Sequence, residues 1–260
     1  MIALSPQAIV RAQARKALQH KYAKAVAALV TALLPVFLID TATVVLISVF
    51  SILWTDSDLA GILSFAVLIP VQVILGVLLS PFINGYIRVY YRNALTDEMD
   101  FKDLWYYFDR ERYSHTLQLN LSFILRLVLP GFLFYLPLII YEVVSLNMKN
   151  NFYGSMLYND FYFLLAVMST VILTLYSLKY FTVFTLHIEN EDLSIGELFQ
   201  SSRRIMSSQS ADAAKLIFSY TPWMLLCLTI LPMLYVVPYM TQGLCIGAKW
   251  MTRAAKEESI

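Results

Sequence analysis

The chain has 260 residues, of which 59% are hydrophobic and only 14% charged, against about 25% charged in a soluble domain. Its 19 basic and 18 acidic residues leave a net charge of +1, which excludes a strong bias toward nucleic acid or acidic partners. Cys227 and Cys245 both lie in apolar sequence and read as small buried hydrophobes, not as a disulfide framework.

The chain opens on a basic segment, 1–25, that carries Arg11, Arg15, Lys16, Lys21 and Lys24. Ser5-Pro6 is a helix start, a capping hydroxyl followed by proline at the first helical position. Val10, Ala14, Leu18 and Tyr22 give this helix a weak apolar face, so it is expected at the membrane surface or on the cytoplasmic side. The apolar run that follows is about 29 residues long, against the 7–15 of a secretory signal, and reads as an uncleaved first crossing.

Five apolar stretches run at 26–54, 62–87, 117–144, 161–186 and 216–251. About 20 apolar helical residues cross a bilayer core, so each is long enough and the last is long enough to cross twice. Bases mark the N-terminal segment, the regions after the second and fourth stretches, and the C-terminus. The loop 55–60 has two aspartates and no base, and the loop 147–159 holds only Lys149. This asymmetry predicts cytoplasmic N- and C-termini in a plasma membrane. A returning C-terminus requires a hairpin in the last stretch, where Pro222, Pro232 and Pro238 mark breaks and 231–236 is the expected turn. The alternative is one long helix with the C-terminus outside. The fold class is therefore all-α: a polytopic membrane helix bundle of about six crossings with cytoplasmic amphipathic helices. It forms one transmembrane domain over 26–251, followed by a tail at 252–260.

Two cytoplasmic segments, 86–105 and 180–199, repeat one physical pattern without a gap. An aromatic helix end leads to acidic residues, Asp97–Glu98 in one and Glu191–Asp192 in the other. A capped helix start follows, Asp100-x-x-Asp103 and Ser194-x-x-Glu197; the second is a capping box and the first its acidic relative. Asp100 and Ser194 are thus the expected caps. Phe101, Leu104, Trp105 and Phe108 should share one face, as should Ile195, Leu198, Phe199 and Met206. Trp105 and Phe199 are the expected interfacial anchors. Two helices separate the copies, so both have the same orientation.

Two ionisable residues fall inside apolar stretches, Asp40 in the first and Arg126 in the third. An unpaired charge in hydrocarbon costs several kcal/mol, so these two are expected to neutralise each other. Gln72, Asn84 and Asn120 are candidates for hydrogen bonds between helices.

Ser202-Arg203-Arg204-Ile205-Met206, Pro130-Gly131, Pro238-Tyr239 and the Leu-aromatic amphipathic helices resemble the bacterial integral membrane proteins of the domain-of-unknown-function 975 family. More distantly they are similar to membrane domains attached to some glycerophosphodiester phosphodiesterases. The resemblance covers 86–251; Ser207-Ser208-Gln209-Ser210 stands where the family often has a glycine and a basic residue. It implies architecture more than activity.

No catalytic motif is present, and His20, His115 and His187 lack metal-ligand spacing, so neither an enzyme activity nor a metal or cofactor is expected. The carboxylates of the acidic turns lie beside helix N-termini, where they are favoured on electrostatic grounds alone. The expected function is a structural or assembly role associated with the envelope, with membrane lipid and other membrane proteins or a second copy as partners. A small transporter or permease component is the alternative, and a lipid-handling domain a further one.

Overall fold

The computed structural model describes residues 5–53, 70–147, 156–227 and 229–257, and every element among them is helical. The acidic loop 55–60, the opening of the second apolar stretch at 62–69, most of the loop 147–159 and the last residues of the C-terminal tail lie outside the described residues. In chain order the helices are α1 (Pro6–Leu18), α2 (Tyr22–Leu53), α3 (70–79), α4 (Pro81–Thr96), a 3-10 helix (Phe101–Phe108), α5 (Arg110–Asn147), α6 (Met156–Ser177) with a short 3-10 turn at its end (Leu178–Tyr180), α7 (Val183–Glu189), α8 (Ile195–Phe218), α9 (Thr221–Leu226) and α10 (Ile230–Glu257).

Among the described residues, four segments are long and apolar enough to cross a membrane: Tyr22–Leu46, Pro70–Thr96, Arg110–Val144 and Asn159–Glu189. They pair as two hairpins. Between α2 and α3, Gln72 donates to the Asp40 carboxylate at 2.6 Å. Between α5 and α6, Ser169 donates to the Phe134 carbonyl at 2.9 Å, and the Tyr135 and Thr170 hydroxyls meet at 2.7 Å. Pro35 in α2 and Pro130 and Pro137 in α5 stay inside their helices. Neighbouring polar groups can compensate the lost backbone bonds in apolar surroundings.

The core lies at one end of these hairpins. It is built by α1, α4, the 3-10 helix, α7, α8 and α10, whose inward residues include Leu18, Val89, Tyr90, Tyr91, Leu104, Met206 and Leu216. We call this packed end the head. In α1 the buried residues are Val10, Ala14 and Leu18, the face read from the sequence, and that face packs on α10. Glycine permits the closest approaches. A Cβ at Gly85 would strike the backbone of Leu104, and one at Gly243 would strike the Tyr220 hydroxyl.

The last apolar stretch is interrupted, but not at 231–236. The helix breaks fall at Ser219–Tyr220 and, after α9 ends at Leu226, before α10 begins at Ile230. Pro222 lies at the start of α9 and Pro232 in the first turn of α10, where a missing N–H removes no intrahelical bond; Pro238 stays inside α10. The chain doubles back, with Tyr239 edge-on to Tyr220 at 5.6 Å and near Trp223 at 5.9 Å. Tyr235 of α10 stacks on Tyr22 at the start of α2, with ring centroids 4.9 Å apart. About five residues, or ~8 Å, separate Tyr235 from the start of α10 at Ile230. A hydrocarbon core is about 30 Å thick. Among the described residues this last stretch supplies none of the segments long and apolar enough to cross, and most of α10 packs inside the head.

Candidate functional site

The densest polar constellation lies where the two repeat copies meet. Arg88 and Arg92 sit four residues apart on α4 and so project from one helix face. Asp103 of the 3-10 helix receives both: Arg88 at 3.3 Å, and Arg92 at 2.9 and 3.1 Å to its two oxygens. Glu191, from the acidic turn of the second copy, accepts from Arg88 at 2.8 Å and from the Tyr106 hydroxyl at 2.9 Å, and pairs with Arg112 at 3.4 Å. The Tyr106 ring has both the Arg88 and Arg112 guanidinium groups stacked on it, at 3.4 and 4.2 Å. Asp103 is buried and Arg88 partly so, with side chains 5% and 12% exposed.

Behind this cluster His187 is buried against Tyr107 and His115, with ring centroids 5.2 Å away in each case. Its Nε2 meets the Thr116 hydroxyl at 3.5 Å. Burial raises the pKa of the Tyr107 hydroxyl, against the lowering pull of the Arg88 charge. Three guanidinium groups and two carboxylates nearly cancel, so the arrangement is an electrostatic lock between α4, the 3-10 helix, α5 and the turn before α8. Among the described residues, no group of three or more His, Cys, Asp or Glu side chains is placed to hold a metal.

A second polar network ties α1 and α4 to α10. Asn93 donates to the Ala17 carbonyl at 3.2 Å and to Gln242 at 2.9 Å, and Gln242 donates to the Tyr90 carbonyl at 3.3 Å. Lys21 donates to Asn93 at 3.0 Å and pairs with Asp97 at 2.5 Å. The Lys21 hydrogen bond and charge hold the exposed Asp97 carboxyl below the usual carboxylate range. A third cluster is Asn84, which donates to Asn120 at 3.0 Å, and Asn120, which donates to Ser80 at 2.8 Å.

The two repeat copies have the same order of helix, acidic turn and capped helix, yet the second helices differ. Ser194 accepts from the Glu197 amide at 3.4 Å while Glu197 accepts from the Ser194 amide at 2.9 Å, a complete capping box opening an α-helix. The Ser194 hydroxyl, which donates to the Glu197 carboxylate at 2.7 Å, and then the Ser194 amide hold that carboxyl below its usual range. Asp100 caps its helix by accepting from the Lys102 amide at 2.9 Å. Asp103 does not return to the cap as Glu197 does, because Arg88 and Arg92 take it. Phe101–Phe108 is then a 3-10 helix whose buried residues are Asp103, Leu104 and Tyr107. Its buried face differs from the expected face of Phe101, Leu104, Trp105 and Phe108 because the period is three, not 3.6.

Several expected site residues go elsewhere. Asp40 and Arg126 do not meet. Asp40 accepts from Gln72 within its own hairpin, and the Arg126 guanidinium lies 4.3 Å from the centre of the Phe199 ring. Phe199 is fully buried and packs edge-on to Tyr180 at 5.3 Å, so it is a core residue and not an interfacial anchor. Trp105 is 51% exposed beside Phe82, a placement open to an interface. The Arg88–Asp103–Glu191 lock is not legible in the sequence beyond the four-residue spacing of Arg88 and Arg92.

The model of the protein family described as "Protein of unknown function (DUF975)" matches residues 5–246. No curated protein and no solved structure matches the chain.

Proposed function

We propose that this chain, which belongs to the DUF975 family of proteins of unknown function, is a non-enzymatic assembly protein of the plasma membrane. In this reading its head lies on the cytoplasmic side and its apolar hairpins associate with helices of a second copy or of other membrane proteins. One contrast carries it. The head is cross-tied by buried polar contacts, whereas in the most apolar windows of Tyr22–Leu46 and Arg110–Val144 only 6% of residues are buried. Large apolar side chains such as Phe37, Leu129 and Phe132 stand exposed on these spans, as does Phe163 on α6. Surfaces of that kind take lipid or a neighbouring helix, and packing against a helix is the stabilising choice where shapes fit.

The topology that goes with this reading has four crossings, with α9 and the start of α10 dipping in and out as a short apolar hairpin. Both termini then lie on one side, and Pro6 and Ala254 lie close together, lining one shallow depression. The basic N-terminal segment assigns that side to the cytoplasm. Cysteine labelling from each side of sealed vesicles tests it; labelling of position 256 from outside alone refutes it. Assembly is tested by photobleaching step counts of fluorescent chains in lipid nanodiscs, together with crosslinking in native membranes. Crosslinks through α5 and α6 are expected. Single-copy particles without any crosslinked neighbour refute the assembly role.

A second reading, transport, is favoured by one observation: the Asp40 carboxylate within the first span, held by Gln72. It requires that Asp40→Asn abolish a measurable proton or solute flux in proteoliposomes.

A further inference from the structure

Where α1 turns into α2, a groove of about 780 Å³ opens between α1, the start of α2, α9 and α10. Arg11, Arg15, Lys16 and His20 line one wall. Tyr22, Trp223, Tyr235 and Tyr239 line the other. Among the described residues, no acidic side chain lines it. Arg15 and Lys16 are exposed, and among the described residues neither has a carboxylate within ion-pair distance. A neighbouring depression of about 790 Å³ shares Lys16, Gln19 and His20 and adds Lys21, Lys249 and Arg253, but the Asp97 carboxylate also lines it. Lys21 pairs with Asp97, and Lys249 donates to the Ala94 carbonyl at 2.5 Å. The first groove thus differs from its neighbour in presenting its bases without a carboxylate among its lining residues. His20 there has a φ of 66°, in the left-handed region that non-glycine residues seldom adopt, at the turn between α1 and α2.

The position of the groove specifies its ligand. Tyr22 begins the first span, and Tyr235 stacks on it. Beyond this aromatic pair, α2 carries exposed Val30, Leu33 and Leu34. Tyrosine and tryptophan favour the headgroup layer, and bases at that depth attract anionic lipid. We infer that this groove is a binding site for the phosphate-bearing headgroup of an anionic membrane lipid, with Arg15 and Lys16 on the phosphate and Tyr22, Tyr235 and Trp223 along the upper acyl region. The inference rests on the membrane-spanning reading of α2 and specifies a lipid partner for it.

The test uses the full chain, delipidated in neutral detergent, titrated with phosphatidylglycerol or phosphatidylcholine and read by native mass spectrometry. Phosphatidylglycerol should bind at least about tenfold more tightly. Arg15→Gln with Lys16→Gln should weaken it about 30-fold, or about 2 kcal/mol at about 1 kcal/mol per base. Arg203→Gln with Arg204→Gln, an equal charge change on the exposed face of α8, should leave it within about twofold. On the unaltered protein, a photoactivatable phosphatidylglycerol headgroup should label 11–22. Equal affinity for the two lipids, an unchanged affinity in the groove variant, or labelling confined to other segments overturns the inference. Full displacement of the lipid by millimolar inorganic phosphate would assign the groove to free phosphate and overturns it too. A chain recovered from the soluble fraction refutes the membrane reading itself, whereas an embedded chain without headgroup preference refutes this inference alone.

Discussion

Replacing Asp103 with asparagine keeps the side-chain volume and removes the charge at the centre of the polar lock. Two guanidinium groups then lose their shared carboxylate. Arg92 is 39% exposed, so its share resembles a surface pair and is worth at most about 1 kcal/mol. Arg88 is 12% exposed and cannot turn to water as easily. Removing one partner of a buried pair costs about 3–5 kcal/mol, and Arg88 keeps Glu191 at 2.8 Å, which places the loss at the low end, about 3 kcal/mol. At about 2–4 °C per kcal/mol for a chain of this size, the melting temperature should fall by about 6–12 °C. Scanning fluorescence of the four tryptophans in a mild detergent reads this directly. The double variant with Arg88→Gln should be less damaged than the sum of the singles by about 1 kcal/mol or more, since the orphaned partner is gone as well. A fall below about 2 °C for Asp103→Asn, or strict additivity in the cycle, would refute the lock.

The remaining predictions concern other contacts. Gly85→Ala places a methyl against the backbone of Leu104, which no side-chain rotation relieves. The 3-10 helix must then move off α4 at a cost of about 1–3 kcal/mol, read as a lowered melting temperature, and a neutral result would show that the approach is not close. Asp97 and Glu197 are both held below the usual carboxylate range, so the folded state favours their ionised forms. Their stabilisation is complete above the unfolded carboxylate range near pH 4 and is lost as pH falls through the lowered folded values. Acid titration of the melting temperature should therefore be shallower in Lys21→Gln than in the parent; identical curves would remove Lys21 as the cause. Asp40→Asn and Arg126→Gln should have additive effects on folded yield, to within about 0.5 kcal/mol, because each charge has its own partner; a double variant better than the worse single would restore the direct pair.

The sequence by itself determined what depends on local pattern and solvent. Runs of apolar residues at 26–54, 117–144 and 161–186 had to be helices in a low-dielectric phase, since only internally bonded backbone survives there. The caps at Asp100 and Ser194 and the inward face of α1 were also legible, because each is written within one or two helical turns. The family resemblance read over 86–251 extends, by the family match, to nearly the whole chain. Only the tertiary structure decided which charges meet. Glu191 reaches Arg88 across 103 positions and Gln242 reaches Asn93 across 149, separations that no periodicity encodes. For the same reason Asp40 and Arg126, paired by sign alone, turned out to serve different hairpins. Phe199, amphipathic by spacing, went into the core because Tyr180 and Arg126 cover it from other helices. Asp103, a capping residue by spacing, was drawn off by two arginines on α4, and that competition left its helix a 3-10 helix while Ser194 opens an α-helix. Where a side chain has several local uses, long-range neighbours choose among them, and those neighbours exist only once the head has packed.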